Sequence, residues 1–247
     1  MPDLRWTMPV ASWSATAAAP VAATDISFIE PIVRRRLSSL SRIALKVAHD
    51  CVDGRGGVRV VFGSRHGELG RTTEILRAIT AGEPVSPTAF SLSVLNAMTG
   101  VFGIARGDRS PANAISAGAE TLGYALLEAH AQFAADPSSP VLMVYADEPA
   151  DAAYGTIEDE IQGGALAILL DAQAVTGSLA CTISGARTAS EDSSQASVGN
   201  NFRAQDFHTQ NFRTQSEAVL SCLERQAPAA WQGADANWQW SWHESAA

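Results

Sequence analysis

Cysteine is scarce in this chain. Three residues, Cys51, Cys181 and Cys222, are spread over 247 positions, with no CxxC pair and no His-rich cluster beside them. That spacing excludes a disulfide framework and the common zinc patterns. The three read as small core residues of a protein in a reducing, cytoplasmic setting. Positive charge is also in short supply: 17 Lys and Arg against 26 Asp and Glu leave a formal net charge of −9. With basic residues so dispersed, a nucleic acid is not an expected partner. No apolar run reaches eighteen residues, and Pro9, Ser12 and Ser14 interrupt any signal-like core after Arg5, so neither export nor a membrane span is expected. No metal site and no cofactor is expected either.

A hydrophobic fraction of 46% is enough to bury a core as one domain spanning 1–247. Periodicity predicts a first strand over Val10–Ala15 and a helix over Ser39–Cys51, with Leu40, Ile43, Ala44, Val47 and Ala48 on one face. A buried strand over Val58–Phe62 follows, then a helix over Gly70–Ala81, a loop at Pro84–Pro87 and an apolar helix over Ser91–Ile104. Thr121–Ala135 is the strongest helical pattern, and Val141–Tyr145 is a buried strand. Gly164–Asp171 and Ser178–Ser184 flank Val175-Thr-Gly177 and read as an antiparallel hairpin. A polar stretch at about 188–215 reads as a flexible loop, Ser216–Arg225 as a late helix and Trp238–His243 as a strand. Helices and strands that alternate early and end in a hairpin indicate a layered α/β fold, a mixed central sheet flanked by helices.

The run from Ser110 to Gly123 carries the functional interest. It reads as a strand, Ala112–Ala117, a small-residue turn and the start of a helix, the elbow that elsewhere lifts a nucleophile toward substrate and aims helix-end N–H groups at negative charge. The turn holds Gly118, Ala119 and Glu120, and neither Cys nor Ser.

Four ordered segments resemble the amino-terminal half of the β-ketoacyl synthases, the condensing enzymes of the thiolase-like fold. They are Arg34-Arg35-Arg36-Leu37 with Ser41–Val47, the glycine-containing turn from Phe62 to Leu69, the segment Val85–Gly100 with its central Asn96, and the elbow. The resemblance covers roughly Phe28–Asp171. It puts the family's nucleophilic cysteine at Ala119, and the histidine motifs of the family's other half, of the His-Gly-Thr-Gly and Asn-Ser-Phe-Gly type, do not occur. The chain is similar to the short subunits called chain length factors, in particular those of aryl polyene biosynthesis, and is expected to amount to roughly the amino-terminal half of a ketosynthase.

Condensation needs a thiolate to hold the acyl group and paired imidazoles to stabilise the oxyanion of a decarboxylating thioester. An alanine methyl supplies neither. The resemblance therefore implies a catalytically silent subunit with no catalytic residue of its own, in a heterodimer with a complete β-ketoacyl synthase. That partner would supply the chemistry and meet the acyl carrier protein. The residues implied at the interface or acyl pocket are His66, Phe90, Ser93, Leu95, Asn96, Met98, Ala114 and Ser116.

Blander roles stand beside these. Glu120 in a first helical turn is suited to the helix dipole, and Leu95 and Met98 suit core packing. Arg34, Arg35 and Arg36 are either a contact for an acidic carrier or are paired internally, with Glu30, Asp50 and Asp53 as candidates. Trp238, Trp240 and Trp242 share one strand face and read as core. Two alternatives remain: a stand-alone acyl-thioester transferase or hydrolase using Glu120 or His66, and a homodimeric acyl-binding module.

Overall fold

A computed structural model describes residues 3–17, 24–157, 163–173, 175–185 and 212–245. Most of the polar stretch at 188–215 lies outside the described residues; its end, from 212 onward, leads into a helix. The chain builds one eight-stranded sheet in the order β3-β2-β4-β5-β1-β6-β8-β7. The strands are β1 (Leu4–Ala17), β2 (Arg59–Gly63), β3 (Ala112–Ile115), β4 (Val141–Asp147), β5 (Gly164–Leu170), β6 (Gly177–Gly185), β7 (Ala229–Gln232) and β8 (Ala236–Glu244). The helices are α1 (Pro31–Arg34), α2 (Ser39–Val52), α3 (Leu69–Thr80), α4 (Pro87–Ser91), α5 (Ala97–Arg106), α6 (Thr121–Ala135) and α7 (Gln215–Arg225). β2 runs parallel to β3 and β4, and the remaining pairings are antiparallel, so the sheet is mixed, as expected.

Side chains of the central strands divide between two cores because strand residues alternate in direction. From β4 and β5, Val141, Met143, Tyr145, Leu166, Ile168 and Leu170 join the core under α6 and α7. Leu142, Val144, Ala146, Ala165, Ala167 and Leu169 join the core under α2 and α5. Helix α2 starts where Ser38, its N-cap, accepts the Ser41 N–H at 3.0 Å, and it buries the apolar face predicted for it.

The expected hairpin does not form. β1 lies between β5 and β6, pairing with β5 through residues 10–17 and with β6 through residues 4–10. The link between β5 and β6 passes over β1 at Val10, whose carbonyl accepts both the N–H and the hydroxyl of Thr176, at 2.8 and 3.0 Å. A partner strand more than 150 residues away is invisible to local turn signals.

The apolar segment 91–104 is also not one helix: α4 ends at Ser91 and α5 begins at Ala97. In the break, the Ser93 hydroxyl donates to the Phe90 carbonyl at 2.8 Å, and Ser91 does the same to Thr88 at 3.0 Å. Such local side-chain bonds compete with the helical ladder. Strand β7 was not anticipated. β8 extends the expected Trp238–His243 strand by two residues before it and one after, and Trp238 and Trp240 are buried while Trp242 is partly so.

Candidate functional site

The elbow has the predicted shape. β3 forms one edge of the sheet, a tight turn at Gly118–Glu120 follows, and α6 begins at Thr121. Gly118 adopts φ 59°, left-handed backbone that suits glycine. Thr121 locks the turn: its hydroxyl accepts the Ala117 N–H at 2.9 Å and donates to the Gly118 carbonyl at 2.7 Å. Gly63 lets α6 lie close to β2, since a Cβ there would sit 2.9 Å from that of Ala125.

Ala119 faces a cavity of only about 10 Å³, walled by Arg65, Gly118, Tyr145, Arg213, Thr214, Gln215 and Trp231. That is at most the space of one water molecule. The wall comes largely from the segment leading into α7 and from β7. Gln215, 2% exposed, places its carbonyl oxygen 2.7 Å from the Gly123 N–H. A free N–H at the start of α6, the group that would otherwise face an anion, is thereby occupied from within the chain. Neither Glu120 nor His66 lines this cavity, so the two candidate bases do not converge on Ala119. Burial raises the Glu120 carboxyl above its ordinary value; the neighbouring Trp238 and Tyr124 oppose this, and Asp235 adds to it.

Beside the elbow, the turn after β2 is organised by Asp147, 1% exposed at the end of β4. One carboxylate oxygen accepts the Ser64 hydroxyl at 2.8 Å and the His66 N–H at 2.9 Å, and the other accepts the Arg65 N–H at 2.6 Å. The Ser64 oxygen in turn accepts the Gly67 N–H at 2.8 Å. Burial pushes the Asp147 carboxyl above the ordinary range, against the pull of these donors. On its other side, Asp147 with Tyr145 borders a roomier cavity of about 270 Å³ between the ends of β1 and β5 and helix α7.

The residues singled out from sequence are distributed around this turn. His66 is half-buried within it, and Ser116 reaches the neighbouring Arg65 carbonyl at 3.0 Å. Leu95 packs on Gly67, with its Cδ1 3.0 Å from where a Cβ would be, and Met98 is buried at 2% exposure in the core that includes Leu40 and Phe62. Ala114 lies on edge strand β3, half-buried. Phe90, Ser93 and Asn96 lie on α4 and the break after it, with Phe90 63% exposed. Among the described residues, no group of His, Cys, Asp and Glu is placed to hold a metal ion. None of the helices described there is long and apolar enough to cross a membrane.

Sequence reasoning missed Gln215, Trp231 and Asp147. The first lay within reach: Thr214-x-x-Glu217 is a capping-box pattern. In the structure Thr214 caps α7 by accepting the Glu217 N–H at 3.3 Å, while Glu217 accepts the Arg213 N–H at 2.8 Å. That pattern starts the helix at Gln215 and not in a loop.

A mixed sheet whose β3-β2-β4-β5-β1 half carries helices on both faces, with an elbow between β3 and α6, defines a thiolase-like ketosynthase fold. The chain belongs to the β-ketoacyl synthase, N-terminal domain, family, which it matches over residues 6–241.

Among solved structures it is similar to a chain of the complex between a ketosynthase (ApeO) and its chain length factor (ApeC) from Xenorhabdus doucetiae. Identity is 24% and the TM-score 0.72, over 96% of this chain and 99% of that one. It is similar to the ishigamide ketosynthase/chain length factor, at 17% identity and a TM-score of 0.58, over 76% of this chain and 69% of that one. A β-ketoacyl synthase from Burkholderia phymatum STM815 matches at 13% identity and a TM-score of 0.54, over 68% of this chain and 52% of that one. A comparison with curated proteins returned no match.

Proposed function

We propose that this chain is a catalytically silent, chain-length-factor-like subunit that pairs with a complete β-ketoacyl synthase and shapes the pocket for its growing acyl chain. The observation that carries this reading is the closed elbow. Ala119 stands at the position that resemblance assigns to the nucleophile, about 10 Å³ of space lies before it, and Gln215 caps the Gly123 N–H. Groups that condense thioesters act as a unit, so loss of the nucleophile alone removes the chemical step.

The surface next to the elbow supports the pairing. β3 is an edge strand with half its hydrogen-bonding groups unused by the sheet, a template for pairing with another chain. Beside it, α5 exposes Ile104 at 83%, and the preceding segment exposes Val94 at 46% and Phe90 at 63%. In this reading β3, with Ala114 and Ser116, meets the synthase, and His66, Phe90, Ser93, Leu95 and Asn96 lie at or near the seam and its acyl pocket. Met98 supports the seam from beneath. Aryl polyene biosynthesis in the cytoplasm, with substrate delivered to the synthase by an acyl carrier protein, is the setting that the sequence resemblance favours.

The test is co-expression with a complete β-ketoacyl synthase from the same organism. Stable co-purification at one-to-one stoichiometry, with condensing activity that needs the synthase's cysteine, is expected. A chain that stays alone, or one that turns over acyl thioesters unaided and loses that turnover in Glu120→Gln or His66→Ala, would sink the proposal.

A further inference from the structure

The cavity of about 270 Å³ between the ends of β1 and β5 and helix α7 takes no part in the pairing proposed above. It lies well in from the β3 edge, since the strand order runs β3-β2-β4-β5-β1. Its floor is apolar: Ala15 from β1, Ala165 and Leu166 from β5 and Leu220 from α7 line it. Its charges are all of one sign. Asp147, Glu217 and Glu224 line it, and among the described residues none of its lining is Lys, Arg or His. A space of this size, mostly apolar with a few polar groups, is the form that small-ligand sites take.

Helix α7 sets the spacing of the charges. Glu217, Leu220 and Glu224 stand at i, i+3 and i+7, one above the other on a single face, so an apolar side chain separates two carboxylates. A rise of about 1.5 Å per residue puts the two Cα atoms about 10 Å apart. Glu217 uses one oxygen to accept the Arg213 N–H at 2.8 Å and keeps the other. Glu224, at the exposed end of the stripe, is held by no hydrogen bond or ion pair among the described residues. Asp147 has both oxygens engaged by the turn after β2, which leaves the two glutamates as direct partners for a ligand. Like charges gathered without a cation are relieved by one from outside. Among the described residues they are not grouped closely enough to share one metal ion, so a ligand that answers both glutamates carries its positive charges apart on an apolar chain. We propose that this cavity binds a linear aliphatic diamine, with one ammonium on Glu217, the other on Glu224 and the methylene chain against Leu220 and the alanines. A phosphate or a free carboxylate would meet only like charge there.

The test is isothermal titration calorimetry of the full chain. The probes are diaminopentane with an amine at each end, pentylamine, pentanoate and magnesium chloride. The diamine is expected to bind native protein, with pentylamine about ten-fold weaker or more because one charge-assisted pair is lost, and with no measurable heat from pentanoate or magnesium. Glu224→Gln, at an exposed position, should bring the diamine down to the level of pentylamine. Adding Glu217→Gln, which keeps an acceptor for the Arg213 N–H, should weaken it again. Leu220→Trp keeps both carboxylates but occupies the space between them, and it too should abolish binding. No binding of the diamine, equal binding of diamine and pentylamine, indifference to Glu224→Gln, or magnesium or pentanoate binding in the diamine's place would each overturn the proposal.

Discussion

Substituting Gly123 tests how the carboxy-terminal strands close the elbow. Gly123 is the third residue of α6, and a Cβ there would lie 2.5, 2.6 and 2.7 Å from Cζ3, Cη2 and Cε3 of Trp238. Carbon atoms in contact sit about 3.5–4.0 Å apart, so the overlap is about an ångström. Trp238 has no room to yield. It is fully buried, with ring centroids of Trp6, Tyr124 and Trp240 at 6.2, 5.3 and 6.2 Å. On an open helix Gly→Ala stabilises by about 1 kcal/mol through propensity and a less free unfolded chain. Overpacking a fixed core costs about 1–3 kcal/mol; an overlap of this size belongs to the upper half of that range, so the net expectation for Gly123→Ala is a loss of about 1–2 kcal/mol. For a chain of this length that lowers Tm by about 2–4 °C. Urea unfolding followed by far-UV circular dichroism would show a lower midpoint at unchanged slope. In a Trp238→Leu background the clash is gone, and the same substitution should be neutral or stabilising by up to about 1 kcal/mol. A rise in Tm for the single variant, or equal effects in both backgrounds, would refute the account of how β8 seats on α6.

Three further outcomes are expected. Asp147→Ala leaves the Ser64 hydroxyl and the Arg65 and His66 N–H groups without their acceptor; a loss of about 3 kcal/mol is expected, with fast amide exchange at residues 65 and 66 as its local signature. The raised Glu120 carboxyl gives stability that is full below its unfolded value of 4.5 and lost as pH rises through the higher folded value. Glu120→Gln should therefore gain on the native protein between pH 4 and 8, and a urea-midpoint difference that shrinks over that range would contradict it. Burial pushes Cys51 and Cys222 up to about 11 and Cys181 higher still than its usual range, so the thiolate fraction at pH 7 is on the order of one in ten thousand. Iodoacetamide should label none of the three in the folded protein and all three in urea, and rapid labelling of the native state would count against this burial.

Much of the fold was legible from residue order because local signals and burial agree. The faces of α2 and α6 follow the helical period, and the unbroken apolar run at 141–145, short for a helix, fits a strand buried on both sides. The elbow was legible for the same reason: small residues between a strand and a strong helix permit the tight turn that joins them. The misreadings arose where a non-local partner decided the outcome. The β5–β6 turn signal was outweighed by β1, and the 91–104 helix was broken by two serine hydroxyls bonding to their own chain. The occupant of the elbow, Gln215 with Trp231, came from residues nearly a hundred positions later. Asp147 was legible only as a lone acid at the end of an apolar strand, and its role depends on a turn eighty residues earlier.

The double duty of β1 has a kinetic consequence. The strand precedes both of its partners, at 164–170 and 177–185, and its pairs lie from 147 positions apart (Ala17 with Gly164) to 179 (Leu4 with Ile183). Closing such loops is entropically demanding and slow. Until it docks, β3-β2-β4-β5 and β6-β8-β7 are two ribbons that, among the described strands, only β1 joins. Residues 4–17 thus act as the seam of the sheet, and deleting them should leave two partial sheets, each with a newly exposed edge prone to aggregation.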